Sequence, residues 1–203
     1  MKIDAEVKCV DFPCLDTSRA SYLVPGMEID PSAVSILLIS EAAPVNPEDY
    51  YYAGADALFA RTTVLAFQDA GAKVASVQDI LNLGVYMTTA VKCGKTGYGL
   101  ATPTIQNCSF LLEKEIGLFS NVKVYLLMGD VAIKSVNMIA KRNGEPRLIP
   151  AGSTYKIRGG EFTFRGARAL PSYVQAGAAF FVEKIKRKMI GEDIAQSLRL
   201  AGV

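Results

Sequence analysis

The chain has 203 residues, half of them apolar and 21% charged, a globular balance with enough length to bury a core and not that of a disordered segment. It contains no histidine, which excludes mixed Cys/His zinc sites and any acid–base chemistry that needs an imidazole near neutral pH. The net charge of +2 hides an asymmetry, because residues 1–133 sum to −6 and residues 134–203 to +8. A basic carboxy-terminal third is the footprint of a polyanion binder; the plainer reading is a solvated basic helix carrying Lys184, Lys186, Arg187 and Lys188. The amino terminus lacks the apolar core of a secretory signal. Apolar stretches such as Val34 to Ile39 and Val122 to Met128 fall far short of the roughly 20 residues that span a bilayer. We therefore expect a soluble, cytoplasmic monomer with no membrane partner.

Four cysteines punctuate the chain as two local pairs, Cys9 with Cys14 and Cys93 with Cys108. In a reducing compartment such pairs are metal ligands more often than disulfides. Four thiolates form a tetrahedral sulfur set that suits zinc or an iron–sulfur cluster; the alternative is four small buried hydrophobes.

In chain order, Val34 to Ile39 predicts a buried parallel strand, which runs into a small-residue loop, Ser40-Glu41-Ala42-Ala43-Pro44. Leu58, Val64, Leu65 and Phe67 predict a helix between Gly54 and Ala70, stopped by Gly71. Val85 to Val91 predicts a second strand, followed by the glycine-rich loop Cys93 to Gly99. Thr102-Pro103 predicts an N-cap and first position of a helix carrying Cys108, Leu111, Leu112, Ile116 and Phe119. Val122 to Met128 predicts a third strand, with a helix from Gly129-Asp130 that stops at Asn143-Gly144. Tyr155 to Ile157 and Glu161 to Phe164, joined by Arg158-Gly159-Gly160, predict a hairpin. Ala167 to Leu170 predicts a fourth strand broken by Pro171-Ser172, and a closing helix follows from about Gly177.

Strands alternating with helices define the α/β class: a three-layer sandwich with a central, mostly parallel sheet flanked by helices. We expect one domain over 1–203, with a cysteine-bearing segment at 1–33 and the α/β core at 34–195. The ligand crevice of such a sheet lies outside the carboxyl ends of its strands, where Ser40-Glu41, Thr88-Thr89 and Pro171-Ser172-Tyr173 meet. Glu41 at a strand end either satisfies nearby backbone N–H groups or orients an attacking water; Glu48 and Asp49 are secondary candidates. Tyr50-Tyr51-Tyr52 is either half-buried packing or a stacking face for a base. Thr89 is either a β-branched strand residue or a hydroxyl that reads a base edge.

Taken together these segments resemble the uracil-DNA glycosylase superfamily, and most closely its thermophile-type branch with a 4Fe–4S cluster. Ile36 to Pro44 is similar to the strand that ends in Gly-Glu-Ala-Pro-Gly. Tyr52-Ala53-Gly54 stands where that branch has Phe-Val-Gly. Tyr86 to Cys93 resembles Tyr-Ile-Thr-Asn-Val-Val-Lys-Cys. Thr102-Pro103-Thr104 with Cys108, Met128-Gly129, and Leu170 to Ala176 against Leu-Pro-Thr-Tyr-His-Pro-Ser complete the pattern. The resemblance implies a DNA partner and excision of a damaged or deaminated base, with Glu41 positioning water. It implies base contacts from Ser40, Ala42, Tyr52, Thr89, Ser172 and Val174, and DNA contacts from Arg165, Arg168 and Gln175. It also implies cluster ligation by Cys9, Cys14, Cys93 and Cys108, with zinc as the alternative. Val174 replaces the family's histidine and Thr89 its specificity asparagine, so the resemblance implies weak or absent activity on uracil in duplex DNA. A non-catalytic DNA- or nucleotide-binding relative, or a metal-stabilised protein-interaction scaffold, are the other readings.

Overall fold

The computed structural model describes residues 1–203. Five strands form the main sheet: β2 (Ile36–Ala42), β3 (Val85–Val91), β5 (Val124–Met128), β6 (Phe162–Phe164) and β7 (Ala167–Ser172), in the order β3-β2-β5-β7-β6. The first four in that order run parallel and β6 alone is antiparallel. Two short strands, β1 (Thr17–Ser18) and β4 (Gly94–Lys95), pair separately.

Alternating side chains split the core into two layers. Leu37, Ile39, Tyr86, Tyr125 and Leu127 pack on the face covered by α4 (Thr102–Ile116) and α5 (Asp130–Arg142). Ile36, Leu38, Val85, Met87 and Leu126 pack on the face covered by α2 (Leu58–Asp69), α3 (Val77–Asn82) and α8 (Lys184–Ala201). The period-two side-chain alternation of a doubly covered sheet produces this division. The architecture is the expected three-layer α/β sandwich. No helix is long and apolar enough to cross a membrane.

Four local expectations need correction. The chain over 155–164 is no hairpin: Thr154–Ile157 is a helical turn, α6, and Gly160 N–H closes onto the Ile157 carbonyl. The hairpin is instead β6–β7, turning at Arg165-Gly166 with φ of 50° and 79°. A two-residue turn needs positive φ at both positions, and Gly166 supplies one without strain. Strand β2 continues three residues into the predicted loop, so Ser40, Glu41 and Ala42 belong to it. Helix α4 is capped at Ala101 and not at Thr102, because Asp16 takes the Ala101 N–H at 2.6 Å and also the Thr104 hydroxyl. Pro171 lies within β7, since β6 pairs only as far as Ala169 and leaves Pro171 a partner on one side alone.

Candidate active site and cysteine cavity

Strands β2, β5 and β7 end on a crevice of about 590 Å³. Glu41 and Ala42 reach it from β2, Asp130 and Val131 from the start of α5, and Tyr173 and Val174 from the segment after β7. At its centre Glu41, Gly129 and Val174 are packed without slack. Gly129 has φ 102°, and a Cβ there would fall 2.6 Å from Glu41 Oε1 and 2.5 Å from Val174 Cγ2. Only glycine fits this turn. Glu41 Oε1 accepts the Val131 N–H at 3.3 Å, placing the carboxylate against the amino-terminal end of α5, where the helix dipole favours negative charge. The N–H groups of Val174 and Ala176, both beside the crevice, have no hydrogen-bond partner within the protein.

Beneath the crevice lies a closed ring of neutral groups. The Ser40 hydroxyl donates to Gln175 Oε1 at 3.0 Å, Gln175 Nε2 donates to the Tyr51 hydroxyl at 3.0 Å, and Tyr51 and Ser40 oxygens stand 2.6 Å apart. With Tyr51 donating to Ser40, each side chain in the ring both gives and receives a hydrogen bond. Gln175 Nε2 also reaches Thr63 on α2 at 3.4 Å. Burial pushes the Tyr51 phenol well above its ordinary value, more than its bonds to Ser40 and Gln175 draw it down. Ser172 turns away from the crevice and donates to Asp193, which Arg158 also holds. Burial raises the Asp193 carboxyl despite both partners.

The candidate site residues therefore separate. Ser40, Glu41, Ala42 and Val174 line the crevice. Ser172 and Gln175 support it from behind, each fully buried. Thr89 is buried beside Ser40 in register, and its hydroxyl has no partner. Tyr52 lies elsewhere: its hydroxyl both accepts the Met87 N–H and donates to the Met87 carbonyl, capping the outer edge of β3. Its ring borders a different cavity, of about 610 Å³, between α2 and α3. Arg165 and Arg168 sit at the opposite end of β7 from the crevice, paired with Glu113 and Glu161 respectively. Glu48 and Asp49 sit in the 3-10 turn Pro47–Asp49 and do not line the crevice. Tyr173, expected at the crevice from the sequence, borders it together with Lys95; sequence reasoning missed Phe59 and Lys186, which border it too.

The four cysteines line one cavity of about 50 Å³, with Phe12, Arg19 and Tyr22 among its other walls. The Tyr22 hydroxyl accepts the Cys9 N–H at 3.1 Å and donates to the Val7 carbonyl at 2.9 Å. Cys108 Sγ accepts the Lys92 N–H at 3.3 Å. All four are free thiols. Burial pushes Cys93 up to about 12, with the neighbouring cysteines adding to it. Burial raises Cys108 to about 11 although Lys92 opposes it. No three metal-ligating side chains are arranged to hold a single ion here. The donor chemistry nonetheless suits a metal group: four sulfurs face one enclosed space, and only added positive charge would favour their thiolate forms there.

The fold and crevice define a three-layer α/β protein with an acidic residue at the carboxyl end of its sheet. No family model matches the chain. Among curated proteins it is similar to a type-5 uracil-DNA glycosylase of Thermus thermophilus, at 25% identity over 127 residues, 62% of this chain and 54% of that one. The chain thus spans about half the length of the curated relative it matches. This likeness supports the superfamily that the motifs resemble, at the level of the superfamily and not of a branch.

Proposed function

We propose that the crevice receives a nucleobase extruded from DNA, and that the protein hydrolyses the N-glycosidic bond of a damaged or deaminated nucleotide. The observation that carries this reading is the junction of Glu41, Gly129 and Val174, where a carboxylate is held in place at the end of the parallel strands. Val131 occupies Glu41 Oε1 and leaves Oε2 to orient a water toward the sugar. The same negative charge steadies oxocarbenium character in the transition state. Val174 offers the departing base an apolar wall, so the partner-free N–H groups of Val174 and Ala176 would bear its developing charge. Phe59 and Tyr173 border the pocket and supply stacking faces in place of Tyr52. The name of the Thermus relative supports the same class of reaction.

The test is a base-excision screen on uracil, hypoxanthine, xanthine and oxidised bases, in single strands, mismatches and paired duplexes. We expect activity on a base that leaves or unstacks cheaply, and weak or no activity on uracil in duplex DNA. Glu41→Gln should lower the rate by about two to three orders of magnitude, the usual size of one lost electrostatic contact in a dry site. Robust uracil excision that survives Glu41→Gln would overturn the assignment. A second reading, a protein that binds DNA without cutting it, is favoured by one observation: Glu41 already satisfies a backbone N–H. No excision by the unmodified protein on any base would select it.

For the cysteine cavity we propose a 4Fe–4S cluster held by Cys9, Cys14, Cys93 and Cys108. What supports this reading is that all four cysteines line one cavity, a donor set that iron–sulfur clusters use, together with the likeness of the motifs to the cluster-bearing branch. Bound, the cluster cross-links the amino-terminal segment, the end of β3 and α4. Protein purified anaerobically should contain iron and sulfide, and Cys108→Ser should lower metal content and thermal stability together. Metal-free protein with four titratable thiols and full stability would eliminate the cluster.

A further inference from the structure

We propose that the cavity of about 610 Å³ between α2 and α3 is a second site, separate from the crevice, and that it binds a nucleotide whose base carries an exocyclic amine, with the phosphate on Arg61. Packed interiors leave few voids larger than a water molecule, whereas this space has the size and the mostly apolar lining of a ligand pocket. Its walls are held without an occupant. Gln68 Nε2 donates to the Val74 carbonyl at 2.8 Å and ties the end of α2 to the approach to α3. Ser76 and Asp79 cap each other's N–H groups at the start of α3.

Three features of the lining select a nucleotide. The first is the Tyr52 ring, which is half-buried and has its hydroxyl anchored on both the N–H and the carbonyl of Met87, so that it offers a fixed flat face. Val64, Leu65 and Leu81 surround the space with aliphatic surface. A base entering there stacks on one tyrosine and packs on branched side chains.

Gln68 is the second feature. A carbonyl oxygen only accepts, so the group that faces Val74 is the amide nitrogen, and Gln68 Oε1 is left as an acceptor without a partner. That oxygen matches an amine on the base edge, as in adenine, and opposes a carbonyl in the same place. Arg61 is the third. It is exposed and takes part in none of the protein's ion pairs, so its guanidinium is free to fork onto a phosphate. Arg61, Val64, Leu65 and Gln68 follow one another at helical spacing on one face of α2. The cation and the amide therefore stand roughly 10 Å apart along the helix axis, a span that a nucleotide bridges with its phosphate at one end and its base edge at the other. Asp79 already takes the N–H groups of Ala75 and Ser76 at 2.8 and 2.9 Å, which leaves the phosphate to Arg61 and not to the end of α3.

A free nucleotide and a base in a single strand share this chemistry, and the experiment separates them. The full chain is titrated with deoxyadenosine monophosphate while the methyl resonances of Val64, Leu65 and Leu81 are followed. We expect saturable shifts at these methyls, and binding about ten-fold weaker for deoxyinosine monophosphate, in which a carbonyl replaces the amine. Arg61→Ala should weaken binding by about ten-fold as well, through loss of one charge-assisted contact. Ala75→Trp, at an exposed position of the rim, should cover the cavity and abolish binding with thermal unfolding unchanged. A single-stranded oligonucleotide with one adenine in a thymine run is then titrated in the same way. Shifts with the strand that Ala75→Trp removes assign the site to a base of the strand; shifts with the mononucleotide alone assign it to free nucleotide. Equal affinity for the two mononucleotides overturns the choice of base. No saturable shift with either ligand, or binding that survives both Arg61→Ala and Ala75→Trp, overturns the site and leaves the reading of the crevice untouched.

Discussion

Two buried polar clusters sit on neighbouring strand ends, and they solve the same problem in opposite ways. On the α4 face, Lys92 and Glu115 form an ion pair with side chains 0% and 1% exposed. Lys92 also donates to the Thr88 hydroxyl at 2.8 Å and the Thr89 carbonyl at 2.6 Å, while Glu115 accepts from Tyr86 at 2.6 Å and Thr88 at 2.9 Å. On the other face, Ser40, Tyr51 and Gln175 close a ring without any formal charge. The charged cluster abuts the cysteine cavity through the Lys92 N–H on Cys108. The neutral ring abuts the crevice, one residue from Glu41. A neutral support leaves the field at Glu41 to the α5 terminus and to whatever enters the crevice. The charged cluster sets the Lys92 ammonium where it favours the Cys108 thiolate, against the burial that opposes it.

The largest effect should come from breaking the charged cluster on one side. Lys92→Met leaves Glu115 buried without its counter-charge, and should cost about 3–5 kcal/mol in denaturant unfolding. Lys92→Met combined with Glu115→Leu removes both charges and should recover most of that loss. A double variant as unstable as the single one would show that packing, and not the unpaired charge, sets the cost.

The sequence announced some of this and concealed the rest for physical reasons. Strand runs such as Val85 to Val91 were legible because a sheet covered on both faces demands unbroken apolar stretches. The convergence of strand ends on one crevice followed from parallel topology. Which side chains enter it did not. Tyr50, Tyr51 and Tyr52 are identical in type, and only the position of β3's free edge decides that Tyr52 caps Met87 while Phe59, a helix residue, borders the pocket. Arg165 and Arg168 were separable from the crevice in principle, since residues at the start of a parallel strand lie at its far end. Lys92 sits in an otherwise apolar strand exit, and its partner Glu115 comes from a helix whose facing no local pattern reveals.

Gln175 gives the finest discrimination, because the two readings of it predict opposite results. As a loop residue probing DNA, its replacement by leucine would weaken DNA binding and leave stability unchanged. As a member of the ring it gives and accepts hydrogen bonds in full burial. Gln175→Leu then leaves the Ser40 hydroxyl without its acceptor and Tyr51 without a donor, while the bond of 2.6 Å between those two survives. Losing part of a neutral network costs less than stranding a charge, about 1–3 kcal/mol. Thermal unfolding should therefore shift clearly, whereas affinity for a duplex with an abasic site should change by less than about three-fold, since no contact with DNA has been removed. A variant of native stability with a ten-fold loss of DNA affinity would place Gln175 at the DNA and remove the ring as the support of the crevice.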